Sequence, residues 1–176
     1  MKDRRGFTLL EIMIVVTIVG IMAIAATANL QTWLSHNSAV DFQREFLAQI
    51  NQARTRSMAS NLQHRLNMNL DAETVTLERG NAGTASSVWT GTGSAITGSK
   101  GAGISAITNT PFGSIGAGSF AFIFNPNGQV LAQDNTNNVT ALTQANIHLS
   151  SDSAADHATI QLYGWTSKAR LANGWL

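Results

Sequence analysis

The most informative chemical group in the sequence is the carboxylate of Glu11. It is the only charged side chain between Phe7 and about Leu34, and this stretch follows the basic hexapeptide MKDRRG. A carboxylate at membrane depth costs roughly 2.5–3.5 kcal/mol on insertion scales, so an acid in such a stretch is expected to have a function and a positively charged partner. Because the stretch itself contains no cation, we expect the partner to come from another molecule.

The sequence gives no support to enzymatic or metal chemistry. It contains no cysteine, which excludes a disulfide framework and a thiolate metal site. The four histidines do not form ligand pairs with a carboxylate alongside; they are His36, His64, His148 and His157. No serine lies in a GxSxG or comparable context. We therefore predict a protein that is not an enzyme, with no catalytic residue, no cofactor and no metal site, and we interpret the polar run at 134–138 as a turn rather than a calcium loop.

The segment that carries Glu11 is long enough to cross a bilayer once. Residues 7–28 would extend about 33 Å as a helix, and the hydrocarbon core is about 30 Å thick. Three cations precede this segment, and the first Lys or Arg after it is Arg44. This excess of positive charge before the segment keeps the amino terminus on the cytoplasmic side. A cleaved secretory signal and a plain membrane anchor are the alternatives. The first is disfavoured because such signals have an apolar core of about 7–15 residues and no use for an acid near its start.

The residues around Glu11 resemble the signature of the type IV pilin and pseudopilin family. The matching residues are RRGFTLLE at positions 4–11, followed by an apolar helix. In that family a prepilin peptidase cuts after the glycine and methylates the new amino terminus. The resemblance therefore implies cleavage between Gly6 and Phe7, N-methylation of Phe7, and a role for Glu11 in filament assembly. Cleavage would create an ammonium group about one helical turn from Glu11, and docking of two subunits can pair these two poorly solvated charges.

The helical pattern continues beyond the apolar stretch to about Asn61. Residues at spacings of three or four form a stripe that is expected to pack on the rest of the protein, with Leu47 beside it: Phe42, Phe46, Ile50, Ala53 and Ser57. The polar side chains between them, including Gln43, are expected on the other faces.

Two features narrow the resemblance to the minor pilins. Residues 45–61, EFLAQINQARTRSMASN, are similar to a stretch of the GspH, FimT and FimU class of minor pilins and pseudopilins. Many major pilins have a proline at the position of Ala28, whereas this chain has no proline before Pro111. The chain lacks the usual kink residue of the abundant filament subunit.

Residues 62–176 are expected to form one β-rich domain. Alternating apolar residues predict a hairpin at 66–77, and two apolar runs joined by the turn NPNG at 125–128 predict a second hairpin at 119–132. Later strands are expected at 147–149, 158–163 and 165–171. Residues 80–118, in which Gly, Ser, Thr and Ala dominate and Lys100 is the only charge, predict a flexible or irregular insert. A binding loop, a short-strand extension of the sheet and simple slack are the alternatives for its role. The predicted fold is α+β: a long amino-terminal helix, with a transmembrane half and an amphipathic half, packed on an antiparallel β-sheet domain as in pilins.

The predicted organisation has a leader at 1–6, a transmembrane helix at 7–28, its amphipathic continuation at 29–61 and a periplasmic domain at 62–176. The resemblance implies a minor pilin or pseudopilin in the bacterial inner membrane that primes or caps a type IV pilus or a type II secretion pseudopilus. Its partners would be prepilin peptidase, other minor pilins or pseudopilins, and the major pilin. No small-molecule substrate is expected.

An alternative from a different class is a DNA-uptake receptor displayed on such a filament. The sequence contains 11 Lys and Arg residues and 10 Asp and Glu residues. Removal of residues 1–6 takes away three cations and one anion, which leaves 8 positive and 9 negative side chains. The mature chain is therefore nearly neutral, and bulk attraction to nucleic acid is not expected. Some minor pilins in the resembled class bind DNA through basic residues near the carboxy terminus, and Lys168 and Arg170 are the candidates here. Two cations would neutralise only a couple of phosphates.

Overall fold

The chain forms two compact units, which divide between Leu34 and Ser35. The computed structural model describes residues 8–99 and 101–175, and of residues 25–29 it describes the backbone alone. The predicted leader and the predicted cleavage and methylation site at Gly6 and Phe7 lie outside the described residues.

A single helix, α1, runs from Leu9 to Ser60 and contains 52 residues. It follows Thr8, whose side-chain oxygen accepts a hydrogen bond from the backbone N–H of Glu11 at 3.3 Å. Threonine favours this capping position, and a glutamate three residues later is typical of the capping box. No proline interrupts α1, and it passes position 28 without a break. The long amino-terminal helix is thereby confirmed from Leu9 onward.

In the first unit, α1 exposes apolar side chains on every side. Leu9 is 81% exposed and Ile24 is 74% exposed, and the large apolar side chains between them are exposed as well. The predicted membrane span at 7–28 includes Phe7 and side chains at 25–28 that lie outside the described residues. In the part of the chain that the structure describes, no helix has the length and hydropathy that crossing a membrane requires.

In the second unit, one face of α1 is buried against the β domain. The buried residues on this face are Ala39, Phe42, Phe46, Ile50, Ala53 and Ser57. The predicted stripe is confirmed, and Leu47 lies partly buried beside it. The expectation that Gln43 lies on a solvated face is wrong. Gln43 is buried because the 151–157 loop covers it, and its Nε2 donates a hydrogen bond to the carbonyl oxygen of Asp156 at 2.7 Å.

Two further contacts join the same loop to the helical part of the second unit. His36 Nδ1 lies 2.6 Å from the Asp156 carboxylate, and the Ser35 hydroxyl donates to the Asp152 carboxylate at 3.1 Å. The loop contains a 3₁₀ turn, Ala154–Asp156, which brings Asp156 into position. Residues 35–43 are therefore fastened to a segment more than a hundred positions later in the chain.

In the residues that the structure describes, twelve strands form two antiparallel sheets. The strands are β1 (His64–Asn69), β2 (Thr74–Gly80), β3 (Trp89–Gly91), β4 (Ile96–Thr97), β5 (Gly103–Thr110), β6 (Gly113–Ile115), β7 (Ser119–Phe124), β8 (Val130–Gln133), β9 (Val139–Ala141), β10 (Gln144–Ser150), β11 (Ala158–Tyr163) and β12 (Ala169–Asn173). The seven-stranded sheet has the order β3-β2-β1-β7-β8-β9, and β4 also pairs with β2. The five-stranded sheet has the order β12-β11-β10-β5-β6. Both predicted hairpins, β1–β2 and β7–β8, are confirmed.

The segment at 80–118 is more regular than predicted. It contributes β3 and β4 to the seven-stranded sheet, and β5 lies inside the five-stranded sheet between β10 and β6. The expectation of an irregular insert is therefore wrong for β5. A shift in register between β5 and β10 places Ile104 opposite Leu149 and Ala106 opposite His148. This bulge buries Ile104 and Ile107 although three positions separate them, so β5 lacks the strict alternation that identifies a strand.

One apolar core combines the buried face of α1 with the inner faces of both sheets. The largest side chains in it include Phe46 from α1 and Phe120, Phe122 and Phe124 from β7, all nearly inaccessible to solvent. The rings of Phe120 and Phe122 meet edge to face at 5.1 Å between centroids. This packing confirms the α+β fold of a helix on antiparallel sheets.

The two sheets join at Gly164. Its backbone N–H donates to the carbonyl oxygen of Thr143 at 3.0 Å, and its carbonyl oxygen accepts from the N–H of Val130 at 2.7 Å. A Cβ at this position would lie 1.7 Å from the carbonyl oxygen of Leu142. The approach of these backbones therefore requires glycine.

Candidate functional site

The first candidate site is the start of α1. Glu11 lies in the first helical turn, where a carboxylate is favoured by the partial positive charge of the helix amino terminus. Its side chain is exposed, and its neighbours Leu10 and Ile12 are exposed as well, at 69% and 55%. Among the residues that the structure describes, no ion pair involves Glu11.

The capping hydrogen bond that the Glu11 N–H donates to Thr8 gives Glu11 a defined backbone position. Two acceptors on Thr8, its hydroxyl and its carbonyl oxygen, lie 3.3 Å and 3.1 Å from the Glu11 nitrogen. The carboxylate is thus presented from a defined turn of helix into an apolar surface. The Thr-x-x-Glu spacing of a capping box was a readable signal that the sequence analysis did not use.

The second candidate site contains Lys168 and Arg170. The hairpin of β11 and β12 places Arg170 opposite Gln161, and the backbone of Lys168 accepts a hydrogen bond from the N–H of Tyr163 at 3.0 Å. Ala169 and Leu171 pack towards the core, so Arg170 points to the opposite side of the sheet. Both cations are exposed. The final strand, predicted at 165–171, spans Ala169–Asn173 in the structure.

Around these cations the structure assembles a surface that the sequence analysis missed. We call it the outer face: the side of the five-stranded sheet turned away from the core. Cross-strand pairing places its residues in adjoining rows; they are Thr108, Thr110, Gln144, Asn146, His148, Thr159, Gln161, Tyr163 and Arg170. The five strands of this sheet contain no Asp or Glu. These residues lie up to about sixty positions apart in the chain, so only the strand register brings them together.

One end of the outer face carries a fixed aromatic ring. Trp175 stacks on the imidazole of His157 with 4.6 Å between centroids and an interplanar angle of 10°. Its indole N–H donates to the carbonyl oxygen of Leu149 at 3.3 Å, and its ring meets His148 edge to face. Burial lowers the pKa of His148 below its usual 6.5. Trp175 remains 53% exposed, so one side of the ring is held while the other is open.

The polar run at 134–138 forms the turn between β8 and β9. One carboxylate oxygen of Asp134 accepts hydrogen bonds from the N–H and hydroxyl of Thr136 and from the N–H of Asn138, at 2.9, 2.7 and 2.9 Å. These bonds, chiefly the one from the Thr136 hydroxyl, hold the pKa of Asp134 below its usual range. The interpretation as a turn is confirmed. Within residues 8–99 and 101–175, no three His, Asp or Glu side chains converge as a metal site.

Comparison with known families adds one finding about the amino terminus. The family model described as the prokaryotic N-terminal methylation motif matches residues 1–27. The chain therefore carries a type IV pilin-like signal, of the kind that prepilin peptidase processes, and the matched residues include Gly6, Phe7 and Glu11. Comparison with curated proteins and with solved structures gave no match.

Proposed function

We propose that the protein is a minor pilin or pseudopilin, a structural subunit that primes or caps a type IV pilus or a type II secretion pseudopilus. The observation that carries this proposal is the position of Glu11: one exposed carboxylate in the first turn of an apolar helix, within the methylation motif at 1–27. The similarity of residues 45–61 to the GspH, FimT and FimU class and the absence of a proline at position 28 support the minor class.

In this proposal the leader at 1–6 is removed and Phe7 becomes a methylated amino terminus. The new ammonium group of one subunit pairs with Glu11 of its neighbour. Because an unpaired charge buried among apolar side chains is expensive, this pair selects one register of docking between helices. The protein is anchored in the inner membrane, its β domain lies in the periplasm, and it performs no catalysis.

Processing is tested by intact mass spectrometry of the protein purified from its native membrane. The expected mass is that of residues 7–176 with one added methyl group. A mass that retains residues 1–6 would refute the proposal.

Assembly is tested by replacing Glu11 in cells that produce filaments. Glu11→Leu and Glu11→Gln should enter the membrane and undergo cleavage, but should no longer co-purify with the other filament subunits. Glu45→Gln, which removes an exposed acid from the same helix in the second unit, is the matched control and should co-purify normally. Equal recovery of partners with Glu11→Leu and with the control would overturn the assigned role.

The minor class is tested by counting subunits in purified filaments by quantitative mass spectrometry. A primer or cap should be present at a few copies per filament. An abundance that matches the principal subunit would contradict the minor class while leaving the role of Glu11 intact.

The DNA-receptor alternative has narrower support, namely the exposed Lys168 and Arg170 on a sheet without acids. A gel-shift assay compares the wild-type protein with Lys168→Ala/Arg170→Ala. If the wild-type protein binds DNA in a salt-sensitive way and the double variant does not, the receptor role is supported. If the wild-type protein does not bind DNA, the receptor role is eliminated. With two cations, any such binding should be weak at physiological salt.

A further inference from the structure

The outer face has the composition of a ligand-binding surface rather than of a protein interface. Protein interfaces are centred on apolar and aromatic side chains. In the middle of the outer face the exposed and half-exposed groups are hydroxyls, carboxamides and imidazole, and the alanines between them, Ala106 and Ala172, add little apolar area.

Carboxamide groups occupy the centre of this face. Asn146 is paired with Gln161 across β10 and β11, and Gln144 donates from Nε2 to the Asn146 side-chain oxygen at 3.2 Å. A groove of about 150 Å³ lies beside them, lined by Thr108, Asn109, Thr110, Gln144 and Asn146. Each carboxamide offers donors and an acceptor, which matches sugar hydroxyls because these also donate and accept.

Aromatic rings stand at both ends of this row. Tyr163 is 39% exposed at the end near the Lys168 turn, and Trp175 is 53% exposed at the other end. Thr159 and Tyr163, which mark the two ends on β11, are about 13 Å apart along an extended strand. The Trp175 ring is already immobilised by His157 and by Leu149, so stacking a pyranose on its open side would require little further ordering.

The charge of the outer face selects the kind of sugar polymer. Arg170 lies on this face, Lys168 lies in the turn at its edge, and no carboxylate is present in the five strands. Arg170 can bind a carboxylate through two parallel N–H groups. Two cations would neutralise only a couple of phosphates of a nucleic acid, whereas a sugar polymer also offers the hydroxyl groups that the carboxamide row can bind.

We propose that the outer face binds an acidic polysaccharide whose carboxylates come from uronic acid units. Trp175 stacks on one sugar ring, Asn146 and Gln161 bind hydroxyl groups, and Arg170 with Lys168 pairs with carboxylates. This function is independent of assembly through Glu11, which lies in the other unit of the chain.

The test measures quenching of tryptophan fluorescence in the full chain, kept in a mild detergent, during titration with polygalacturonate. Neutral dextran and single-stranded DNA are the comparison ligands. We expect saturable binding of polygalacturonate that weakens with salt, and dextran binding about tenfold weaker, the effect of losing roughly 1.4 kcal/mol of ionic contacts. No binding of polygalacturonate, equal binding of dextran, or tighter binding of DNA would each overturn the proposal.

Variants locate the site. Lys168→Gln/Arg170→Gln should weaken polygalacturonate binding about tenfold and abolish its salt dependence. Arg79→Gln removes an exposed cation from the seven-stranded sheet and should bind as wild type does. Equal losses in the double variant and in Arg79→Gln would show nonspecific attraction and refute the site.

Stacking is tested separately, by isothermal calorimetry, because Trp175 is itself a fluorophore. Trp175→Ala should weaken binding about tenfold, whereas Trp175→Phe, which keeps a ring but loses the N–H bond to Leu149, should retain most of it. Circular dichroism of both variants verifies the fold, and if Trp175→Ala does not fold, the Lys168 and Arg170 variant decides. Equal affinity of Trp175→Ala and wild type would refute the stacking role.

Discussion

Replacing Gly164 with alanine should destabilise the β domain, because the added side chain would collide with backbone where the two sheets join. The added Cβ would lie 1.7 Å from the Leu142 carbonyl oxygen, whereas real Cβ contacts are essentially never shorter than 3.0 Å. The backbone must therefore move by at least 1.3 Å, the difference between these two distances. Since the obstacle is backbone, no change of side-chain rotamer relieves it.

This movement breaks hydrogen bonds at the junction. The bonds from Gly164 N–H to Thr143 and from Val130 N–H to the Gly164 carbonyl oxygen are 3.0 and 2.7 Å long, and an added 1.3 Å takes both beyond hydrogen-bonding distance. Two bonds at about 0.5–1.5 kcal/mol each, together with loosened packing around the buried Leu142, give a loss of roughly 2–4 kcal/mol in the free energy of unfolding. For a domain of this size the melting temperature should fall by roughly 6–16 °C.

The assay is thermal unfolding of the full chain in detergent, followed by circular dichroism. Gly116→Ala is the matched control, because a Cβ at Gly116 has nothing within 4 Å and its backbone angle is not in the left-handed region. It should unfold close to the wild-type temperature. If the two variants unfold together, the junction is looser than the structure shows and the steric reasoning fails.

Two further predictions concern the core and the histidines. Phe46 is fully buried, and Phe46→Ala should lower the free energy of unfolding, measured by urea titration, by about 3–5 kcal/mol. Phe46→Leu should lower it by about 1.5 kcal/mol or less. Equal losses in the two variants would contradict the packing around this ring. Burial lowers the pKa of His148 and of His64 below 6.5, so the unfolded chain binds protons more readily, and stability should be complete above about pH 6.5 and fall as the pH drops below it. His148→Gln should reduce this pH dependence of the melting temperature, and an unchanged slope would refute the contribution of His148.

Much of the fold follows from the local pattern of the sequence. The spacing of Phe42, Phe46 and Ile50 identifies the buried face of α1, because residues three or four apart share one side of a helix. The β1–β2 hairpin follows from alternating apolar residues, and the β7–β8 hairpin follows from two apolar runs joined by the turn at 125–128. β7 presents Phe122 and Phe124 to the core because residues two apart share one face of a strand. In each case a short stretch of sequence is enough to predict the element and its buried face.

Other features depend on contacts between distant segments, which a local pattern does not record. The bulge near Ile104 disturbs the alternation of β5, and the burial of Gln43 depends on a carbonyl group that the 151–157 loop supplies. At the candidate sites, Glu11 could be singled out because an acid is rare in an apolar stretch. The outer face could not, since Asn146 and Gln161 are unremarkable in sequence and become neighbours through strand register.

The contacts between residues 35–43 and the 151–157 loop have a consequence for the order of biosynthesis. The partners of His36 and Ser35 are 120 and 117 positions away, so these bonds form only after most of the chain has left the ribosome. Until then only the seven-stranded sheet, whose last strand ends at Ala141, can cover Phe42 and Phe46, and transiently exposed apolar surface favours aggregation. We therefore expect the nascent chain to depend on a chaperone, and a ribosome-stalled chain ending before residue 150 should bind a chaperone that the completed chain has released.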